Sequence, residues 1–272
     1  MREGEAQRRL PRGRAPQGQS DGWGGGGGGG GGGAPAKRAR GEGAGATMLD
    51  AEDWENLRTL YDSRGEAREL ALRGAREMQR DAKRAICALH RGDLEAAESL
   101  LEKAGGPGSK VSVFFASCES TSRGGETFSP GQGAGPLLPE TGEHVAEALR
   151  QPLRPQWGGA MEEYAEAWLF LRFLQRGGRA LAPRSALAES SPAGKLVNDS
   201  EYLGGVLDFC GEMNRWAVRR AAERDLGAVT HCRDLALAIQ EELLQFDFRN
   251  GELRRKFDAL KYTVRNLERV LY

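Results

Sequence analysis

MEEYAEAWLFLRFL, residues 161–174, is the stretch on which the fold turns. At 100° per residue, Met161, Tyr164, Trp168, Phe170, Leu171, Phe173 and Leu174 cover most of a helix circumference. A helix that is apolar on so many sides belongs inside a protein. Glu163 and Glu166 are three residues apart and fall within about 80° of Phe170 and Phe173. Two carboxylates are therefore expected beside a buried stripe, where charge is costly unless it is paired or metal-bound. The spacing alone leaves both a satisfied salt bridge and a functional site open.

A second acidic pair stands in EYLGGVLDFCGEM, residues 201–213, where Asp208 and Glu212 are four apart and share one side of a helix. That side also carries Gly204, Gly205, Arg215 and Arg219, opposite Leu203, Val206, Leu207, Cys210, Met213 and Ala217. Read alone, the pair is a solvated face. Packed against the first helix, the two pairs would gather four oxygen-bearing groups, a donor set suited to a hard cation such as Mg²⁺ or Mn²⁺.

Helical patterning extends along most of the remaining chain. It is expected over residues 51–91, 94–104, 143–150, 156–176 and 184–189, then from a cap at Asp199 or Ser200 to 223, and over 226–246 and 251–272. No alternating β pattern of any length occurs, so the fold class is all-α. Residues 1–47 form a Gly/Arg-rich arm with ten consecutive glycines at 24–33, expected to be disordered. Its Lys37-Arg38-Ala39-Arg40 cluster reads as a charged tail, with weak nuclear import or RNA contact as alternatives. Residues 105–141, rich in Gly, Ser and Pro, read as a low-complexity insertion into a helical domain spanning 48–272.

The chain has 39 basic and 39 acidic side chains, and eight against four of these lie in residues 1–47, leaving the domain acidic. No apolar run approaches the length of a membrane span, and no signal core precedes the domain. Cys87, Cys118, Cys210 and Cys232 show no paired spacing and read as buried, reduced residues. His90, His144 and His231 are scattered, which argues against a His/Cys metal site. On the first long helix Arg73, Arg76, Arg80, Lys83, Arg84 and Arg91 fall within an arc of about 100°. Beyond Arg80 only Asp81 opposes them, so Arg80, Lys83, Arg84 and Arg91 read either as a ridge for the phosphates of single-stranded RNA or as a solvated face.

YLGGVLDFCGEMNRWAV, from Tyr202, and LRRKFDALKYTVRNLERVLY, ending at Tyr272, resemble the C-terminal half of the translin family. LHRGD at 89–93 and EEYAEAWLF at 162–170 resemble its first helix end and central helix. Glu163-Tyr164-Ala165-Glu166 and Asp208-Phe209-Cys210-Gly211-Glu212 match the E-Y-x-E and D-x-x-x-E motifs of the catalytic branch, the translin-associated factor X-like and archaeal proteins. This resemblance implies an antiparallel bundle of about six or seven helices and a homo- or hetero-octamer with translin-type subunits, in cytoplasm and nucleus. It also implies a Mg²⁺-dependent (or Mn²⁺-dependent) endoribonuclease acting on single-stranded RNA. Glu163, Glu166 and Asp208 would be metal ligands, Glu212 a further ligand or the base, and Arg215 a contact to the scissile phosphate. A non-catalytic oligomer binding single-stranded RNA or DNA, or a helical adaptor subunit, are the other two readings. Neither needs both acidic pairs.

Overall fold

The structure, a computed structural model, describes residues 49–122 and 143–272, with side chains described over 49–116 and 153–272. The arm at 1–47 and most of the expected insertion, residues 123–141, lie outside the described residues. Among the described residues there are nine helices and no strand: α1 (Ala51–His90), α2 (Leu94–Gly105), α3 (Lys110–Ser122), α4 (Glu143–Gln175), α5 (Arg184–Ser190), α6 (Pro192–Leu196), α7 (Asp199–Ala222), α8 (Leu226–Leu243) and α9 (Glu252–Leu271). No described helix is long and apolar enough to cross a membrane.

Short polar connections set the helix ends. Asp93 accepts from the Ala96 amide at 3.0 Å, and Gly92 takes φ 80° to make the turn out of α1, a conformation glycine reaches without strain. Asp225 caps α8 in the same way, through the Ala228 amide at 3.0 Å. The cap of α7 is one residue earlier than the sequence suggests. Asn198, rather than Asp199 or Ser200, accepts from the Glu201 amide, and the Glu201 carboxylate accepts from the Asn198 amide in a capping box. Connections this short make α1 and α2, and α7 and α8, antiparallel neighbours.

Helix α4 is the element on which α1, α2, α3 and α7 all pack, while α9 closes against α7 and α8. Trp157, Met161, Tyr164, Leu169, Phe170 and Phe173 of α4 are essentially without solvent exposure. Close approach to α4 is made possible by glycines on its neighbours. A Cβ on Gly74 of α1 would lie 2.4 Å from the Trp157 ring, and one on Gly105 of α2 would lie 2.5 Å from Tyr164. A Cβ on Gly205 of α7 would meet Ala165 Cβ at 2.9 Å and the Glu166 amide nitrogen at 3.0 Å.

Two expectations change here. Residues 110–122 are helical rather than part of a low-complexity insertion, because the short apolar run there has a surface to bury against. Phe114 and Phe115 each place their rings 5.9 Å from Trp157, and both are buried with Val111. Helix α4 also runs unbroken through Pro152 and Pro155, where the sequence suggests a gap at 151–155. Buried Leu153 and Trp157 flank Pro155, so tertiary packing outweighs the local proline penalty.

The glycine contact between α7 and α4 has a measurable consequence. Gly205→Val should lower stability by about 1–3 kcal/mol through overpacking, whereas Gly211→Ala should raise it by a few tenths to about 1 kcal/mol from helix propensity. Gly211 lies on the exposed side of the same helix, where an added Cβ would have nothing within 4 Å. Urea denaturation of both variants checks this, and equal stabilities would show that the α4–α7 approach is not glycine-dependent.

Candidate functional site

The four acids of the two motifs lie on the facing sides of α4 and α7. Gly204 and Gly205 are buried at that contact, so the side of α7 bearing Asp208 and Glu212 is a helix–helix interface and not the solvated face its composition suggests. Glu166 is the most enclosed of the four, at 7% exposure. Burial first, then the charges of Asp208, Glu163 and Glu212, push its carboxyl up to about 8, with Lys256 acting in the opposite direction. No hydrogen bond or ion pair among the described residues reaches the Glu166 carboxylate.

The other three acids are each drawn to a basic group. Glu163 lies 3.5 Å from Lys83 of α1, and burial still raises its pKa. Glu212 accepts from Arg215 at 2.9 Å and pairs with His90 Nε2, whose ring packs 4.9 Å from Phe170. Asp208 is bound by Lys256 of α9, which also binds Glu162. Burial opposes charge on Lys256, but hydrogen bonds to Asp208 and Glu162 outweigh it and hold the ammonium above its usual range. Burial likewise raises Glu162, against the pull of Lys256.

Lys256, Glu162 and His90 do not stand out in the sequence, yet each carries a faint signal. Lys256 precedes Leu260 and Val264 at four-residue intervals, so a lysine occupies a position of the buried stripe of α9. Glu162 lies one turn before Glu166 on α4, and His90 falls in the last turn of α1 next to buried Leu89.

Among the described residues, no group of three or more His, Cys, Asp or Glu side chains converges closely enough to hold a metal ion. The donor chemistry nonetheless suits one. All four motif acids offer hard oxygen, and Glu166 is an enclosed carboxylate whose strongest charged neighbours are other carboxylates. The residues fit a divalent cation by charge and atom type, while side-chain rotation would have to bring three donors together.

The expected basic ridge lies beside this site. Arg76, Arg80, Lys83 and Arg84 line one shallow groove of about 380 Å³ on α1, together with Cys87. Lys83 links the groove to the acids through Glu163. Arg80 and Arg84 remain more than half exposed, although buried Asp81 lies 3.9 and 3.8 Å from them and is paired with Lys103 at 2.8 Å. Arg91 is exposed at the α1 C-cap, and Arg215 is 68% exposed. Cys87 is exposed rather than buried as the sequence suggests, because it falls on the basic side of α1. Cys210 and Cys232 are buried as expected, with thiols pushed up to about 12 by desolvation. The side chains of Cys118 and His144 lie outside those described.

The state of Glu166 makes stability depend on pH. Its folded pKa is raised from 4.5 to about 8, so the folded chain retains a proton that the unfolded chain has released. That contribution is complete below pH 4.5 and is lost as pH rises through about 8. In chelator, unfolding free energy should fall between about pH 5 and pH 8, and Glu166→Gln should flatten the decline. An identical slope in the variant would place the effect elsewhere.

Residues 140–272 match the family model described as "Translin family". Translin from Homo sapiens is 29% identical over 72 residues, which is 26% of this chain and 32% of that protein. Translin from Gallus gallus is 28% identical over 98 residues, 34% of this chain and 43% of that protein. The matched stretches thus span less than half the length of either relative. Among solved structures, apo-NeC3PO superposes with a TM-score of 0.59 at 16% identity, covering 83% of this chain and 98% of its own. AfC3PO in complex with duplex RNA gives 0.59 at 20% identity, covering 80% and 94%. These likenesses establish a common all-helical fold. The similarity to the translin family itself rests on residues 140–272, just under half of the chain.

Proposed function

We propose that this chain is a metal-dependent endoribonuclease acting on single-stranded RNA. The observation that carries the reading is Glu166, an enclosed carboxylate with three acids as neighbours and no cation of its own in contact. Carboxyl groups raised by burial and by neighbouring acids cluster at catalytic sites. Glu163, Glu166 and Asp208 would hold Mg²⁺ or Mn²⁺, and Glu212 would complete the set or accept the proton of the attacking water. When bound, such an ion supplies an activated water and neutralises charge on the phosphoryl oxygens. Hydrolysis then forms a bond from the water oxygen to phosphorus, breaks the bond to the leaving ribose oxygen, and leaves that oxygen protonated. His90 orients Glu212 from the α1 side.

RNA enters this reading through charge. Arg80, Lys83 and Arg84 line a groove that meets the acids at the Lys83–Glu163 contact, so a strand following the groove would reach the carboxylates. Arg91 and Arg215 extend positive charge near the last turn of α1, where His90 pairs with Glu212. The structural relative AfC3PO is seen with duplex RNA, so single-stranded and duplex substrates both belong in the test. Assembly with translin-type subunits, or with further copies of this chain in an octamer, is part of the proposal. Trp54, Leu57 and Tyr61 of α1 are at least half exposed and recur along one side of the helix, as an intersubunit face would require. A specific observation favours a second reading, that of a non-catalytic binder: Glu163, Asp208 and Glu212 already have basic partners.

Two experiments separate these readings. Labelled RNA should be cut in Mg²⁺ and left whole in chelator, and Glu163→Gln, Glu166→Gln and Asp208→Asn should each slow cutting about a thousandfold or more, roughly 4 kcal/mol of barrier. Intact RNA with wild-type protein in Mg²⁺ would leave the binding reading in its place. In the second experiment, Arg80→Gln/Arg84→Gln should weaken RNA binding regardless of sequence. The slope of log K against log salt should become shallower by roughly 0.7 per lost phosphate contact. A slope equal to that of wild type would leave the groove as surface charge.

A further inference from the structure

The acid site already contains a cation, and it belongs to the protein. Lys256 reaches from α9 to hydrogen-bond Asp208 and Glu162 at once, across the α7–α4 contact. We propose that Lys256 is an internal competitor for the divalent cation at Asp208, so that the ion binds by displacing the lysine ammonium from that carboxylate. This rests on the metal-dependent reading above and adds a determinant of its affinity.

Three observations support the competition. First, the lysine and an incoming ion need the same atoms. Asp208 is about one-third exposed and its Oδ2 is held by the ammonium, so an ion that takes this oxygen, alone or together with Oδ1, displaces the lysine from it. Second, a fixed positive charge beside Glu166 reduces the attraction the carboxylates offer to another cation. Third, the ammonium has somewhere to go. A cleft of about 550 Å³ adjoins the contact, lined by Glu162, Asp247 and Glu252 among others. Lys256 shares Glu162 with this cleft, so its flexible four-carbon stem can keep that bond while it gives up Asp208. Arginine at this position would keep the charge, whereas methionine would keep much of the length and remove it.

The test uses Mn²⁺ as the probe and the full chain, with free Mn²⁺ followed by electron paramagnetic resonance. Lys256→Met should bind Mn²⁺ about tenfold or more tightly than wild type, and Lys256→Arg should stay near wild type. In wild-type protein, Mn²⁺ should also accelerate modification of Lys256 by an amine-reactive reagent, read by peptide mass spectrometry, because the released ammonium becomes accessible. Equal or weaker Mn²⁺ binding by Lys256→Met overturns the competition while leaving the metal reading intact. Absence of Mn²⁺ binding in wild type and both variants overturns both. If Lys256→Met does not fold by circular dichroism, the labelling experiment decides, and a Lys256 reactivity unmoved by Mn²⁺ rejects the proposal.

Discussion

The close approach of α7 to α4 at Gly205 is the constraint from which the rest of the site follows. With a Cβ there only 3.0 Å from a backbone nitrogen of α4, no side chain fits without moving one helix away from the other. The same approach places Gly204 against the Glu162 carboxylate, so the two acidic segments meet where the backbones are nearest. Carboxylates on helices at ordinary packing distance would be separated by intervening apolar side chains and would influence one another far less. Here they are close enough for three of them to alter the ionisation of the fourth. Backbone packing is therefore the origin of the electrostatics.

That concentration of negative charge would strongly disfavour folding if left bare, and the structure answers it from two sides. Helix α1 supplies Lys83 and His90, two turns apart, and α9 supplies Lys256. Each acid except Glu166 has a partner drawn from a helix other than its own. Ion pairs between helices far apart in sequence tie the first long helix and the last one to the central pair. Glu166 is the exception because it lies deepest, where no flexible cationic side chain reaches it, and it responds by keeping its proton near neutral pH.

The sequence conveys the architecture well and the site in part. Helix existence and most boundaries follow from apolar periodicity, and Asp93 is readable as the start of its helix. Both acidic pairs are also visible, since spacing of three or four places them on one helix side whatever the tertiary structure. The partners are less legible. Whether Asp208 faces water or another helix depends on what Gly204 and Gly205 pack against, and a polar–glycine side looks the same either way before the fold is known. Lys256 can be noticed only as a charged residue at a buried-stripe position of α9, and His90 only by its place in the final turn of α1. Helix α3 is obscured by its Gly- and Ser-rich surroundings, although the two phenylalanines that anchor it on Trp157 are in plain view.

The three glycine contacts around α4 also bear on how such a chain can change over evolutionary time. Gly74 is matched to Trp157, Gly105 to Tyr164, and Gly205 to the small Ala165. At each contact, lost space on one helix must be recovered on the other. A larger residue replacing Gly74 is viable only with a smaller ring at 157, and the reverse change opens a void beside the core. These positions should therefore drift as pairs, each substitution waiting for its partner. Gly205 has the least latitude, because most of what it meets is backbone, and backbone has no smaller alternative.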